Sequence, residues 1–159
     1  IVAECIKEVS GDNGNAYFYK DILISKITKN NELVWMRKLP KNQVNNILFH
    51  TMSYKYIKSG GKHVFLYPDL QENIDIKETD APEQLGILAL KRKGHLIAAR
   101  IDEDGNIEKE SVLQLKGNAL GEALYHVIPS NFIQSADDEI VFEAYIRGLK
   151  QVLVKLKLN

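Results

Sequence analysis

The chain has 159 residues, of which 45% are hydrophobic and 26% charged, a composition typical of a globular protein with a core. Its 21 Lys and Arg residues balance its 21 Asp and Glu residues, so it has no net field that would attract a nucleic acid or an anionic membrane. One cysteine excludes an intramolecular disulfide, and no apolar run approaches the roughly 18 residues of a membrane span. We therefore expect no nucleic-acid partner and no membrane span.

The first 39 residues predict three strands, over 1–8, 22–28 and 33–39, with a long connection over 9–21. Cys5 lies inside the first apolar run, which favours a small buried side chain over a nucleophile. The chain opens at Ile1, without an initiator Met and inside a strand. This opening predicts that the chain is a fragment or a processed product.

The middle of the chain predicts four strands, near 54–58, 63–68, 94–101 and 107–113. The second and third of them are apolar at successive positions, which predicts a sheet covered on both faces. The fourth alternates and carries charge, as expected of a sheet edge. We also expect a short helix within 81–92. Three more strands are predicted over 130–135, 139–146 and 152–158, the last with apolar residues on one face and lysines on the other.

These strands repeat in sequence. The segment 22–27 aligns with 96–101 at an offset of 74 positions, without a gap through the following strand, and Asn31 and Gly105 match in the intervening turns. Both residue types accept the positive φ of a tight hairpin. The segment 55–59 aligns with 131–135 at an offset of 76. We therefore predict one all-β repeat region over 1–159, composed of a partial unit 1–39, a complete unit 54–113 and a partial unit 130–159.

The segment 21–35 reads as a strand, a Lys-aliphatic pair, a polar turn and a second strand ending in Trp35. This order resembles the blade repeats of bacterial β-propellers of the quinoprotein-like and related families. The resemblance implies antiparallel four-stranded blades, with about two and a half units forming the C-terminal portion of a propeller-like domain. A closed propeller has about four to eight blades, so the remainder of the propeller or another chain would complete the strand set. Many exported bacterial β proteins lack disulfides, so the single cysteine says little about the compartment. We favour an extracytoplasmic location, in the periplasm or at the cell surface.

The polar motifs give little evidence for catalysis or for metal binding. Asp102 and Asp104 have the spacing of a calcium loop, but the position where such a loop needs Glu is Leu113, which favours a hairpin turn. The four histidines lack the spacing of metal ligands. Trp35 favours packing between sheets over a ligand platform. We therefore predict no catalytic residue, no metal site and no cofactor.

In an up-and-down unit, the long connections 9–21, 40–53, 69–93 and 114–129 all leave the same face of the array. Loops on a rigid scaffold are where binding usually occurs. The candidate binding residues on these connections are Tyr17, Tyr19, His50, Asp69 and Asp75.

Three functions remain open at this stage. The first is a non-enzymatic binding or interaction module that presents this face to a protein or glycan partner. The second is part of a propeller enzyme, dependent on a glycan or a cofactor, whose active site lies mostly in other blades. The third is a structural piece of a bacterial surface assembly. A pocket with convergent Asp, Glu, His or Arg would favour the enzyme, and a flat aromatic face would favour partner binding.

Overall fold

The computed structural model describes residues 1–12, 14–45, 52–86, 89–90, 93–115, 124–146 and 150–158. The strands are β1 (Val2–Gly11), β2 (Gly14–Ile27), β3 (Leu33–Leu39), β4 (Gln43–Asn45), β5 (Lys55–Ser59), β6 (Lys62–Leu70), β7 (Leu85–Gly86), β8 (Gly94–Ile101), β9 (Ile107–Gln114), β10 (Leu124–Val127), β11 (Ile133–Ala136), β12 (Glu139–Ile146) and β13 (Lys150–Lys157). Short 3-10 turns follow β6 and β10, at Gln71–Asn73 and Pro129–Asn131. The predicted all-β class is confirmed. None of the helical segments among these residues has the length and apolar character needed to cross a membrane.

The strands form three sheets. In the first sheet, β2 pairs with β1, β3 and β4, and β4 pairs with β7. The second sheet has the order β5-β6-β8-β9, which is also the order along the chain. In the third sheet, β12 pairs with β10 and β11 on one side and with β13 on the other. All of these pairs are antiparallel except the short β4–β7 pair.

The second sheet lies between the other two. Phe65 and Ile97 belong to a core cluster with Ile22 of the first sheet, whereas their neighbours Val64 and Leu96 belong to a cluster that includes the third sheet. Alternate residues of a strand point to opposite faces, so one strand supplies both clusters. The expectation of a sheet covered on both faces is confirmed. The third-sheet residues in this core are Val127, Phe132, Ile140, Phe142, Ala144 and Leu158, with Val152, Val154 and Leu156 packed against them.

The two aligned hairpin turns, between β2 and β3 and between β8 and β9, have the predicted geometry. Asn31 has φ of 63° and Gly105 has φ of 84°. The Asp102 carboxylate accepts hydrogen bonds from the backbone N–H groups of Asp104 and Asn106, both at 2.9 Å. These contacts confirm that 102–106 is a hairpin turn. Trp35 packs against Gly105 and donates from Nε1 to the Glu103 carbonyl at 3.1 Å, which confirms its role between sheets.

A bulge turns Lys109 away from the face that its sequence alignment suggests. Lys109 occupies the position equivalent to Trp35 at the offset of 74. In the first sheet the register shifts at the start of β3, and Trp35 pairs with Lys26. In the second sheet the shift comes later, between Leu96 and Ile97, so Lys109 pairs with Ala99 instead. A shift of one residue exchanges the faces of a strand, and Lys109 therefore lies on the side of the first sheet.

The prediction of a long loop over 9–21 is wrong. β1 and β2 continue as a paired hairpin up to Gly11 and Gly14. The aromatic run Tyr17-Phe18-Tyr19 has high strand propensity, and its backbone pairs with β1 and β4. The prediction for Cys5 is also wrong, since the side chain is exposed. Cys5 lies at the register shift between Glu4 and Ile6, where β1 departs from regular pairing with β2.

Three further connections contain strands that were not predicted. β4 forms at Gln43–Asn45, inside the connection expected over 40–53. β7 forms at Leu85–Gly86, and helical backbone is described only at 89–90 and 93, within and just beyond the segment where a helix was expected. β10 forms at Leu124–Val127, inside the connection expected over 114–129. All three strands are short and gain their hydrogen bonds from a neighbouring strand, so local periodicity gave no signal for them.

Candidate functional site

Two long connections meet at one end of the stack. Leu85 N–H donates to the Asn42 carbonyl at 2.8 Å, next to the β4–β7 pair. Lys38 N–H donates to the Glu78 carboxylate at 3.0 Å. The extension of the β1–β2 hairpin lies at the same end, because β4 pairs with it at 17–19. For the connections after β3 and β6, the predicted crowding at one face is therefore confirmed in the described residues.

A buried polar cluster lies where these connections join the first sheet. Its residues are Glu4, Lys41, Gln43 and Ser53. The Lys41 side chain is fully buried and its ammonium group contacts a Glu4 carboxylate oxygen at 2.5 Å and the Gln43 side-chain oxygen at 3.0 Å. Ser53 Oγ donates to the other Glu4 oxygen at 2.5 Å. Gln43 Nε2 donates to the Pro68 carbonyl at 2.6 Å, which ties the cluster to the second sheet.

Glu4 is the carboxylate in contact with the Lys41 ammonium, and Asp69 and Asp21 act on it from further away. Burial lowers the pKa of Lys41, and the adjacent Glu4 carboxylate opposes that shift. The Tyr19 ring lies 5.8 Å from the Lys41 ammonium, and burial raises the pKa of Tyr19. A buried ion pair is held mainly by the cost of leaving either charge alone. The cluster therefore joins the first sheet to the second, and its Lys41 side chain is buried from solvent.

Asp69 is a second buried carboxylate at this end. Its Oδ1 accepts hydrogen bonds from Leu70 N–H at 2.8 Å and from Asn73 Nδ2 at 2.7 Å. Asn73 in turn exchanges hydrogen bonds with the backbone of Glu83, which closes the 71–83 connection into a compact loop. Burial raises the pKa of Asp69 to about 6, although Asn73 and the Leu70 N–H partly offset it.

We expect Asp69 to make stability depend on pH. Its raised pKa means that the folded state binds a proton more tightly than the unfolded chain does, so its contribution is present below pH 4 and is lost as pH rises through about 6. The free energy of unfolding, measured by urea titration, should fall relative to that of Asp69→Asn by at most about 3 kcal/mol between pH 4 and pH 7. A difference between the two proteins that stays constant over this range would contradict the assignment.

Next to this loop lies an open cleft of about 460 Å³ between the first and second sheets. Four basic residues line it, Arg37, Lys38, Lys77 and Lys109, against one acidic residue, Glu78. The Lys38 side chain shares the outer face with Leu23 and lies beside Asp21, so the cations of the cleft are Arg37, Lys77 and Lys109. We call it the cationic cleft. The remaining lining residues are Leu39, Pro40, Ile76, Gly105, Asn106 and Ile107.

The cations of the cleft differ in how they are held. Arg37 Nε donates to the Gly105 carbonyl at 2.7 Å and lies 3.7 Å from a Glu78 oxygen. The half-buried Lys109 ammonium donates to the carbonyls of Asn73 and Ile76, both at 3.2 Å, and burial lowers its pKa. These carbonyls hold Lys109 in place without neutralising its charge. More distant carboxylates, those of Asp69, Asp75 and Asp80, favour its charged form.

A smaller polar cleft of about 330 Å³ shares Lys38 with the cationic cleft. It is lined by Lys20 and Lys38 on one side and by Asp21 and Asp80 on the other. Lys20 donates to Asn42 Oδ1 at 2.5 Å, and Lys38 lies 3.6 Å from Asp21. Because its basic residues (Lys20, Lys38 and Lys41) and its acidic residues (Asp21 and Asp80) nearly balance, this cleft is less suited to an anionic ligand.

The structure brings two of the five predicted binding residues together. Tyr19 and Asp69 both lie near Lys41, and the charge of Asp69 acts on the Lys41 ammonium. Tyr17 lies in a strand, with its backbone paired with that of Glu8 and Asn45. Asp75 is exposed, on the loop beside Lys109. His50 lies outside the described residues.

Sequence reasoning missed Glu4, Lys41 and Lys109. Nothing in the polar run after Pro40 distinguishes a buried lysine from an exposed one. Lys109 did give a signal, because it stands where the other copy has a core tryptophan. A charge at a position that the repeat otherwise buries indicates that its side chain faces a different environment.

The described residues contain no group of three or more His, Cys, Asp or Glu side chains that could hold a metal ion. No protein-family model, no curated protein and no solved structure matches this chain. The geometry and charge of the clefts are therefore the basis for assigning a function.

Proposed function

We propose that this chain is a binding module on a propeller-like scaffold, and that its cationic cleft takes a carboxylate or phosphate group of a small ligand. The observation that carries the proposal is the charge of the cleft. The whole chain is electrically neutral, yet the cations of Arg37, Lys77 and Lys109 face one carboxylate, that of Glu78, in this one cleft. An anionic group is the ligand chemistry that complements such a surface.

The way the cations are held supports the same ligand class. Lys109 is fixed by two carbonyl oxygens, so its ammonium is positioned in advance and little side-chain entropy is lost on binding. Lys77 is exposed at the rim, and its ammonium has no carboxylate partner among the described residues. The apolar side chains of Leu39, Ile76 and Ile107 would contact the uncharged part of the ligand.

The scaffold part of the proposal draws on the stacking of the sheets. A four-stranded sheet whose spatial order follows the chain, covered on both faces by neighbouring sheets, is the arrangement found between adjacent propeller blades. The long connections then lie at one end of the stack, and the cationic cleft extends from residues 76–78 of one of them along β3 and β9 to the turn at 105–106. From the sequence resemblance we also propose that the scaffold is of bacterial origin and that its sheets are blades of the quinoprotein-like or related families.

Titration with inorganic phosphate and with succinate at low ionic strength tests the cleft. We expect shifts of the backbone amide NMR signals of Lys77, Gly105 and Ile107, with dissociation constants of about 1 mM, as expected for a small ligand with few contacts. Lys77→Ala should weaken binding about threefold to tenfold, and added NaCl should weaken it further.

Lys29→Ala is the matched control, because Lys29 is an exposed lysine in the β2–β3 turn, away from the cleft. It should leave the affinity unchanged. Shifts that do not involve the cleft amides, or a Lys77→Ala protein that binds as tightly as the Lys29→Ala protein, would exclude the cleft as the anion site. The response to phosphate against that to succinate distinguishes the two kinds of anionic group.

A further inference from the structure

The two outer faces of the stack carry exposed apolar side chains. On the first sheet, Ile22 and Ile24 point toward the second sheet, so Leu23 between them points outward and is 46% exposed. On the third sheet, Val152 and Val154 pack inward and Leu153 is 80% exposed. We call these the leading face (Leu23, Ile27, Leu33 and Met36) and the trailing face (Ile133, Val141 and Leu153, beside the ion pair of Lys155 and Glu139).

The leading face matches a surface that is covered elsewhere in the same molecule. At the offset of 74, Leu23 corresponds to Ile97, and Ile27 corresponds to Ile101. Both isoleucines are buried in the cluster that joins the second sheet to the first. Leu33 likewise corresponds to Ile107, which packs against this cluster. The leading face therefore has the side chains of a sheet that another sheet covers.

The trailing face corresponds to the face of the second sheet that the third sheet covers. Ile133 pairs with Val141 as Ile57 pairs with Val64 in the second sheet. In the second sheet these two side chains are buried in the cluster shared with the third sheet. In the third sheet the equivalent Ile133 is 67% exposed. The trailing face thus repeats a surface that packs onto a following sheet.

We infer that the trailing face of one copy packs onto the leading face of a second copy, head to tail. Both junctions within the molecule are of this kind, since each sheet presents the face equivalent to the trailing face to the next sheet in the stack. Two copies joined at both ends form a ring of six sheets, within the range of about four to eight blades in closed propellers. The inference rests on the proposed propeller-like stacking and is independent of the anion site.

Light scattering after size-exclusion chromatography tests this association. The 159-residue chain should have twice its monomer mass of 18.1 kDa. Met36→Glu on the leading face and Leu153→Glu on the trailing face should each give a monomer, because a charge replaces an exposed apolar contact. An equimolar mixture of the two variants should again give a dimer, since one pair of unmodified faces remains. Leu23→Glu provides a second leading-face variant should Met36→Glu fail to fold.

Val9→Glu is the control, an exposed valine on the hairpin extension that should leave the mass unchanged. A wild-type chain that stays monomeric, or a Leu153→Glu protein that still dimerises, overturns the inference. Disruption by the leading-face variants alone indicates a face-to-face dimer and also overturns it. Phosphate titration of the monomeric Met36→Glu protein separates the two proposals, because the anion site lies within one copy.

Discussion

Replacing Glu4 with alanine is expected to lower the free energy of unfolding by about 3–5 kcal/mol, because it leaves the Lys41 ammonium buried without its counter-charge. The Lys41 side chain is fully buried, and Glu4 is its direct carboxylate contact. The substitution also removes the acceptor for Ser53 Oγ. Urea denaturation followed by circular dichroism at neutral pH measures the effect.

Glu8→Ala is the matched control on the same strand. Glu8 is exposed and accepts one hydrogen bond from Asn15, so its loss should cost less than about 1 kcal/mol. The double variant Glu4→Leu with Lys41→Met should recover most of the lost stability, because no buried charge remains. A Glu4→Ala protein as stable as Glu8→Ala would mean that Lys41 does not carry a charge in the folded protein.

Gly105→Val should cost about 2–5 kcal/mol, measured in the same denaturation experiment. Gly105 has φ of 84°, a conformation that disfavours a β-branched residue by about 1–2 kcal/mol. A Cβ at this position would also lie 2.9–3.1 Å from three carbons of the Trp35 ring. Since Trp35 is held between the sheets, the ring can move only by disturbing their packing, which costs about a further 1–3 kcal/mol.

Gly61→Val separates strain from packing. Gly61 also has a positive φ, of 77°, but nothing lies within 4 Å of the Cβ that a substitution would add. It should therefore cost only the backbone term, about 1–2 kcal/mol. When Trp35→Ala is the reference protein, adding Gly105→Val should cost only the backbone strain, because the steric contact with the ring is gone. Equal losses for Gly105→Val and Gly61→Val would show that the contact with Trp35 is not restrictive.

The sequence was sufficient to identify the strands of the second sheet and their burial. Runs such as 64–67 are apolar at every position, and a strand buried on both faces is the structure that accommodates them. The turns at Asn31 and Gly105 could be predicted equally well, because a positive φ restricts the residue type directly. These features depend only on residues that are close together in sequence, so the sequence is enough to predict them.

The candidate site depends on contacts that no local pattern encodes. Glu4 and Lys41 meet across 37 positions of sequence, and only the stacking of the sheets removes both from water. Lys109 faces the cationic cleft because a bulge falls at a different point in β9 than in β3. A shift of one residue costs little locally but exchanges the two faces of a strand. The sequence by itself therefore determined the long strands with strong apolar runs. The tertiary structure decided where the short strands form and which side chains meet between the sheets.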